Sequence, residues 1–123
     1  MKLKREDAVY YVQNLDAAIA FYEQKLGFKL KFKEDWGFAL IEVSEDDYIG
    51  LMTVANYQKE FPEHADDLRP RTVFRAEDLD YEVERLKSNG VRVSNVFGES
   101  GGPRSALFWD LDNNPYFMYS LPD

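Results

Sequence analysis

Residues 14–28 read NLDAAIAFYEQKLGF and residues 78–91 read DLDYEVERLKSNGV, so the chain writes one helix pattern twice. Leu15 and Leu79, Asp16 and Asp80, Ile19 and Val83, and Tyr22 and Leu86 all stand 64 positions apart, while Gly27 and Gly90 stand 63 apart. In the first copy Leu15, Ala18, Ile19, Tyr22 and Leu26 recur at helical spacing and give one apolar face. Asn14 and Asp78 suit the N-cap, where a short side-chain oxygen accepts an otherwise unpaired backbone N–H. Gly27 and Gly90 suit the left-handed position that ends a helix, with a lysine in each last turn. An offset of 64 in a chain of 123 residues leaves room for two copies of one module and little else.

The flanks repeat with the helices. A short strand precedes each one, AVYYV at 8–12 and TVFRA at 72–76. After the first helix FKLKFK at 28–33 alternates, which predicts a half-buried strand with Phe28, Leu30 and Phe32 on one face and lysines on the other. VRVSNV at 91–96 is its counterpart. Each half then closes with a hairpin. GFALIEV turns through Glu45, Asp46 and Asp47 into YIGLMTV, and RSALFW turns through DLDNNP into YFMYS. Asp, Asn and Pro supply the turn chemistry. Residues 55–70, with Pro62, Pro70 and many charges, read as a loop or short helix joining the halves.

The fold expected is therefore α+β: two tandem βαβββ modules forming a cupped mixed β-sheet with helices outside. Module 1 covers about 7–54, the linker 55–70 and module 2 about 71–121, within a single domain 1–123. A concave, largely apolar sheet face is where a ligand would bind. An apolar share of 45% supports a packed core, and no apolar run approaches the roughly 20 residues that span a bilayer. MKLKRED at the start leads into no signal-peptide segment, and a cytoplasmic location is the expectation. With no cysteine there is no thiolate metal site. A net charge of −8 speaks against nucleic acid and anionic membranes as partners and for a neutral or cationic one.

The repeated motif resembles the vicinal oxygen chelate superfamily, which includes glyoxalase I, extradiol dioxygenases and the fosfomycin- and bleomycin-resistance proteins. Val12, Asn14, Leu15, Asp16, Phe21, Tyr22, Leu26, Gly27 and Phe28 carry it in the first half. Asp78, Leu79, Leu86, Asn89, Gly90 and Val91 carry it in the second, and the turn beginning at Asp110 is similar to the family's D-P-D-G-N-x. The resemblance implies paired βαβββ modules, a homodimer, and one divalent metal held by His, Gln or Glu. The family's ligand places fall on Asp7, Gly50, Arg71 and Phe117. Only Asp7 suits a hard cation, and a cationic Arg71 opposes one. The sole histidine, His64, falls in the linker and reads as a surface residue. No metal and no cofactor is expected.

Residues two apart on a strand share a face. If Asp7 faces the cup, so do Val9 and Tyr11; Arg71 brings Val73 and Arg75, Gly50 brings Met52 and Val54, and Phe117 brings Tyr119. Trp36, Phe38 and Trp109 fall near strand ends at the rim. Arg71 either clamps a carboxylate or phosphate or pairs with Asp7, and Gly50 either lines the cup or admits a facing ring such as Phe117. The metal-free bleomycin-resistance-like members are most similar: KEDWGF at 33–38 resembles their acidic, aromatic stretch, and Arg104 matches a second-half arginine whose neighbouring tryptophan is absent here. The function expected is metal-free binding of a small organic ligand, planar or cationic, as in antibiotic or metabolite sequestration. The ligand residues are Tyr11, Trp36, Phe38, Met52, Arg71, Arg75, Arg104, Trp109, Phe117 and Tyr119. Two alternatives stand beside it. One is a glyoxalase-like lyase, isomerase or dioxygenase with a variant site, with Asp7 as base and Arg71 or Tyr11 stabilising an oxyanion. The other is a regulatory protein using the fold as a scaffold, with loops 55–70 and 97–103 as recognition segments.

Overall fold

Both copies of the repeated helix begin and end on the residues that suit those positions. In the computed structural model, which describes residues 3–122, Asn14 Oδ1 accepts the Ala17 N–H at 2.9 Å and Asp78 Oδ1 accepts that of Tyr81 at 3.1 Å. These caps open α1 (Leu15–Gln24) and α3 (Leu79–Ser88). Gly27 at φ 75° and Gly90 at φ 79° take the left-handed exit. The last turn of α3 carries Arg85 and Lys87, whereas that of α1 has no basic residue, Lys25 being the C-cap.

The strands among the described residues are β1 (Leu3–Val12), β2 (Lys29–Glu34), β3 (Phe38–Ser44), β4 (Asp47–Thr53), β5 (Arg71–Ala76), β6 (Arg92–Val93), β7 (Arg104–Trp109) and β8 (Pro115–Ser120). They fall into two compact units. Asp7–Pro70 forms the N-terminal unit, and residues 3–6 join residues 71–122 in the C-terminal unit. The N-terminal unit runs β2-β3-β4-β1, with β1 and β4 parallel and both hairpin pairs antiparallel. The C-terminal unit repeats the plan as β6-β7-β8-β5, with β5 and β8 parallel. The fold is thus α+β, with mixed strand pairing in each copy.

Each unit buries one sheet face under its helix. In the N-terminal unit Leu15 and Ile19 of α1 pack on Ala39, Ile41 and Leu51. In the C-terminal unit Leu79, Val83 and Leu86 of α3 pack on Ala76, Ala106 and Met118, with Leu3 of β1 against the same cluster. Among the described residues no helix is long and apolar enough to cross a membrane.

Three segments depart from the sequence expectation. First, β2 does not alternate cleanly. Leu30 pairs with Ile41 and Phe32 with Leu40, a register shift around Lys31 that puts Leu30 and Phe32 on opposite faces. Second, the strand expected at 91–96 shrinks to Arg92–Val93. The cause is Ser94. Its N–H donates to the Leu107 carbonyl at 2.8 Å, while its Oγ takes the Leu107 N–H at 2.8 Å, so a side chain replaces the backbone ladder. Third, Val54–Glu60 forms a helix, α2, capped by Thr53 Oγ1 on the Asn56 N–H at 3.1 Å, with a 3-10 turn at Pro62–His64 after it. Tyr57, at 0% exposure, and Phe61, at 4%, anchor this segment. The Tyr57 hydroxyl donates to the His64 carbonyl at 2.8 Å, which holds half-buried His64 by its backbone.

Candidate functional site

The face of the N-terminal sheet that turns away from α1 is ordered in cross-strand rows. Tyr11 pairs with Met52, Met52 with Phe38 and Phe38 with Glu34. The next row is Val9, Gly50, Leu40 and Phe32. Tyr11, Phe38 and Met52, singled out separately in the sequence, therefore share one row. The side of this face toward β1 is filled. Met52 is buried, and the Tyr11 ring lies 4.4 Å from that of Tyr57 on α2. Half-buried Asp7 lies on the same strand.

The side toward β2 is open and aromatic. Trp36, 53% exposed, stacks on Phe38 with centroids 5.6 Å apart and an interplanar angle of 16°. Phe32 lies 6.1 Å from Phe38 and is itself exposed. Phe38 fits because Gly50 has no side chain: a Cβ there would come within 3.1 Å of Phe38 Cε1. The ring over Gly50 is thus Phe38 of the neighbouring strand.

The turn that presents Trp36 is locked onto α2. The Thr53 N–H donates to the Gly37 carbonyl at 2.9 Å. Asn56, one turn into α2, donates its amide to Glu60. Burial pushes the Glu60 carboxyl above its ordinary value, against the opposing effects of Asn56 and Lys59. A carboxyl raised on folding contributes stability that is present at low pH and lost as pH rises through its folded pKa. Glu60→Gln, which keeps an acceptor for Asn56, is expected to be more stable than the parent at pH 7 and to lose that advantage below about pH 4. Urea denaturation at the two pH values checks this.

In the C-terminal unit the face away from α3 carries Arg71, Val73 and Arg75 on β5, Phe117 and Tyr119 on β8, and Leu107 and Trp109 on β7. Most of it is closed. Arg71 and Leu107 are at 0% exposure, Trp109 at 3% and Phe117 at 9%. Trp109 is therefore a core residue and not a rim ring. The Arg71 guanidinium lies 5.4 Å from its centroid, with Nη1 donating to the Tyr116 carbonyl at 3.5 Å. Half-buried Tyr119 donates its hydroxyl to Glu6, and Arg75, beside it in register, is exposed.

Arg104 is not on this face. It shares the side of Ala106 and Phe108, toward the helix, and its Nη2 binds Asp80 of α3 at 2.8 Å. Sequence reasoning also missed Arg92. It pairs with Trp109 across the sheet, with Cζ 4.0 Å from the ring centroid, and donates from Nη1 to Asn113 Oδ1 at 3.0 Å. The signal was present, since Arg92 alternates with Val91 and Val93.

The model of the Glyoxalase/Bleomycin resistance protein/Dioxygenase superfamily matches residues 6–115. The chain belongs to this superfamily.

Solved structures share the fold over 97–100% of this chain. A hypothetical protein from Bacillus halodurans C-125 is 16% identical, with 100% of this chain and 97% of that one covered at a TM-score of 0.70. Methylmalonyl-CoA epimerase from Mycobacterium tuberculosis is 22% identical over 99% and 89%, TM-score 0.62. A superfamily member from Vibrio splendidus 12B01 is 13% identical over 97% and 98%, TM-score 0.62. At these identities the likeness speaks for the fold. No curated protein matches the chain.

The superfamily's metal places suit a divalent ion poorly here. Gly50 and Phe117 offer no side-chain donor, Phe38 covers Gly50, and buried Arg71 is a cation. Among the described residues no group of three His, Cys, Asp or Glu side chains could hold a metal ion.

Proposed function

We propose that this superfamily member is a metal-free small-molecule-binding protein, of the sequestering kind found among bleomycin-resistance-like relatives, and that its ligand is a planar cation stacked on Trp36. The observation that carries the reading is the exposed Trp36 ring, pre-stacked on Phe38. A large aromatic held in place by its neighbour loses little freedom on binding a flat ring. Glu34, across the strand pair from Phe38, and Asp35, beside Trp36, give the stack a negative border. The net charge of −8 favours a cationic approach. The donor set at the superfamily's metal places supports binding without metal chemistry.

Calorimetric titration with planar cations such as proflavine tests this. The parent should bind, and Trp36→Ala should lose about tenfold in affinity, equivalent to about 1.4 kcal/mol, the size expected for a stacked ring with a cation–π component. Its stability should change by about 0.5 kcal/mol or less, since the ring is exposed. Absence of uptake by the parent across such a panel would reject the reading. Zinc, nickel, manganese or iron at one per chain in elemental analysis would favour a lyase, isomerase or dioxygenase with Asp7 as base instead. A homodimer in solution, which the resemblance implies, is checked by light scattering.

A further inference from the structure

We infer that the C-terminal unit carries a separate site for an oxyanion, a carboxylate or phosphate group, centred on the guanidinium of Arg92. The Arg92 side chain is fixed from two directions. Its Cζ rests 4.0 Å from the centroid of buried Trp109, and Asn113 Oδ1 accepts its Nη1 at 3.0 Å. Asn113 is itself held in a tied turn. There the Asp110 carboxylate accepts the N–H groups of Asp112 and Asn114 at 3.0 and 2.9 Å, and the Asn114 side-chain amide at 3.0 Å. Arg92 nonetheless remains exposed.

A guanidinium has five N–H donors in a plane, of which Asn113 engages one. A planar fork already ordered by a ring loses less entropy on gripping a carboxylate or phosphate than a free surface lysine would. The local charge fits this. Arg71, a second cation, lies against the same Trp109 ring. The turn that holds Asn113 also carries Asp110 and Asp112. The Asp110 carboxylate is committed to its own turn. Packing alone does not call for this arrangement, since an apolar side chain would cover Trp109 as well. The site lies in the other unit from Trp36 and stands whether or not that ring binds a cation.

The test is a titration of inorganic phosphate, and separately of acetate, into labelled full-length protein at constant ionic strength, following the arginine Nε–Hε resonances by NMR. The Arg92 signal should shift saturably, with a dissociation constant on the order of 1–10 mM for so small a probe. Tighter phosphate binding assigns a phosphate, and equal or tighter acetate binding assigns a carboxylate. Arg92→Gln, followed through the neighbouring backbone amides, should weaken binding about fivefold or more. Arg92→Lys should recover only part of it because the fork is lost. Arg75→Gln, at the other end of β5, should leave it unchanged. No saturation with either anion, or unchanged affinity in Arg92→Gln, overturns the inference.

Discussion

Gly37→Ala is expected to cost about 3 kcal/mol of folding stability, a large loss for a single methyl group. Two effects add. Gly37 sits at φ 114°, where an L side chain is strained by about 1–3 kcal/mol. A Cβ there would also stand 2.5 Å from Thr53 Oγ1 and 3.4 Å from Asn56 Cβ. Thr53 Oγ1 is the cap of α2, bonded to the Asn56 N–H, so swinging it aside to relieve the clash gives up a cap worth about 1 kcal/mol. Gly27→Ala is the matched control. Its φ is 75°, but its Cβ would meet nothing within 4 Å, so only the backbone term remains, about 1 kcal/mol. Equal losses for the two variants in urea denaturation would show that the hairpin does not press on α2. A threefold difference would show that one residue joins the Trp36 turn to the first turn of the linker helix.

This coupling marks where the sequence stops being legible. The repeat displayed the two helices, their caps and the order of strands, because those depend on local period and on one or two capping residues. The packing of Gly37 on Thr53 depends on where a linker settles, and no local pattern encodes that. The same holds for Phe38 over Gly50. The sequence left Gly50 either lining the cup or admitting a ring, and did not say which ring. Other misses were readable. Arg104 and Trp109 are five apart on one strand, so alternation puts them on opposite faces, and both could not have lined one surface. Ser94 in the middle of VRVSNV is a residue whose hydroxyl competes with the backbone, which is how β6 ends after Val93. The Lys31 bulge had no signal of its own, since a strand of alternating lysines reads the same with or without it.

The two tryptophans, alike in the sequence as candidate stacking rings, are expected to behave oppositely on truncation. Trp109→Ala should cost about 4 kcal/mol. The side chain is 3% exposed, and removal of a buried aromatic costs about 3–5 kcal/mol in lost burial and cavity. Arg71, at 0% exposure, would lose the ring 5.4 Å from its guanidinium, a contact worth up to about 2 kcal/mol when desolvated. Against a total of about 5–15 kcal/mol for a typical domain, such a loss brings the protein close to its unfolding threshold. Trp109→Phe keeps an aromatic face for both arginines and should cost about half as much. Trp36→Ala, by contrast, should leave the denaturation midpoint almost unmoved. A Trp109→Ala variant within about 1 kcal/mol of the parent would mean that the ring is not packed as described. Its retained stability would then make Trp109, like Trp36, available to a ligand. The expected split separates the rings: Trp109 packs against Arg71 and Arg92 in the C-terminal sheet, and Trp36, exposed, is the ring proposed for recognition.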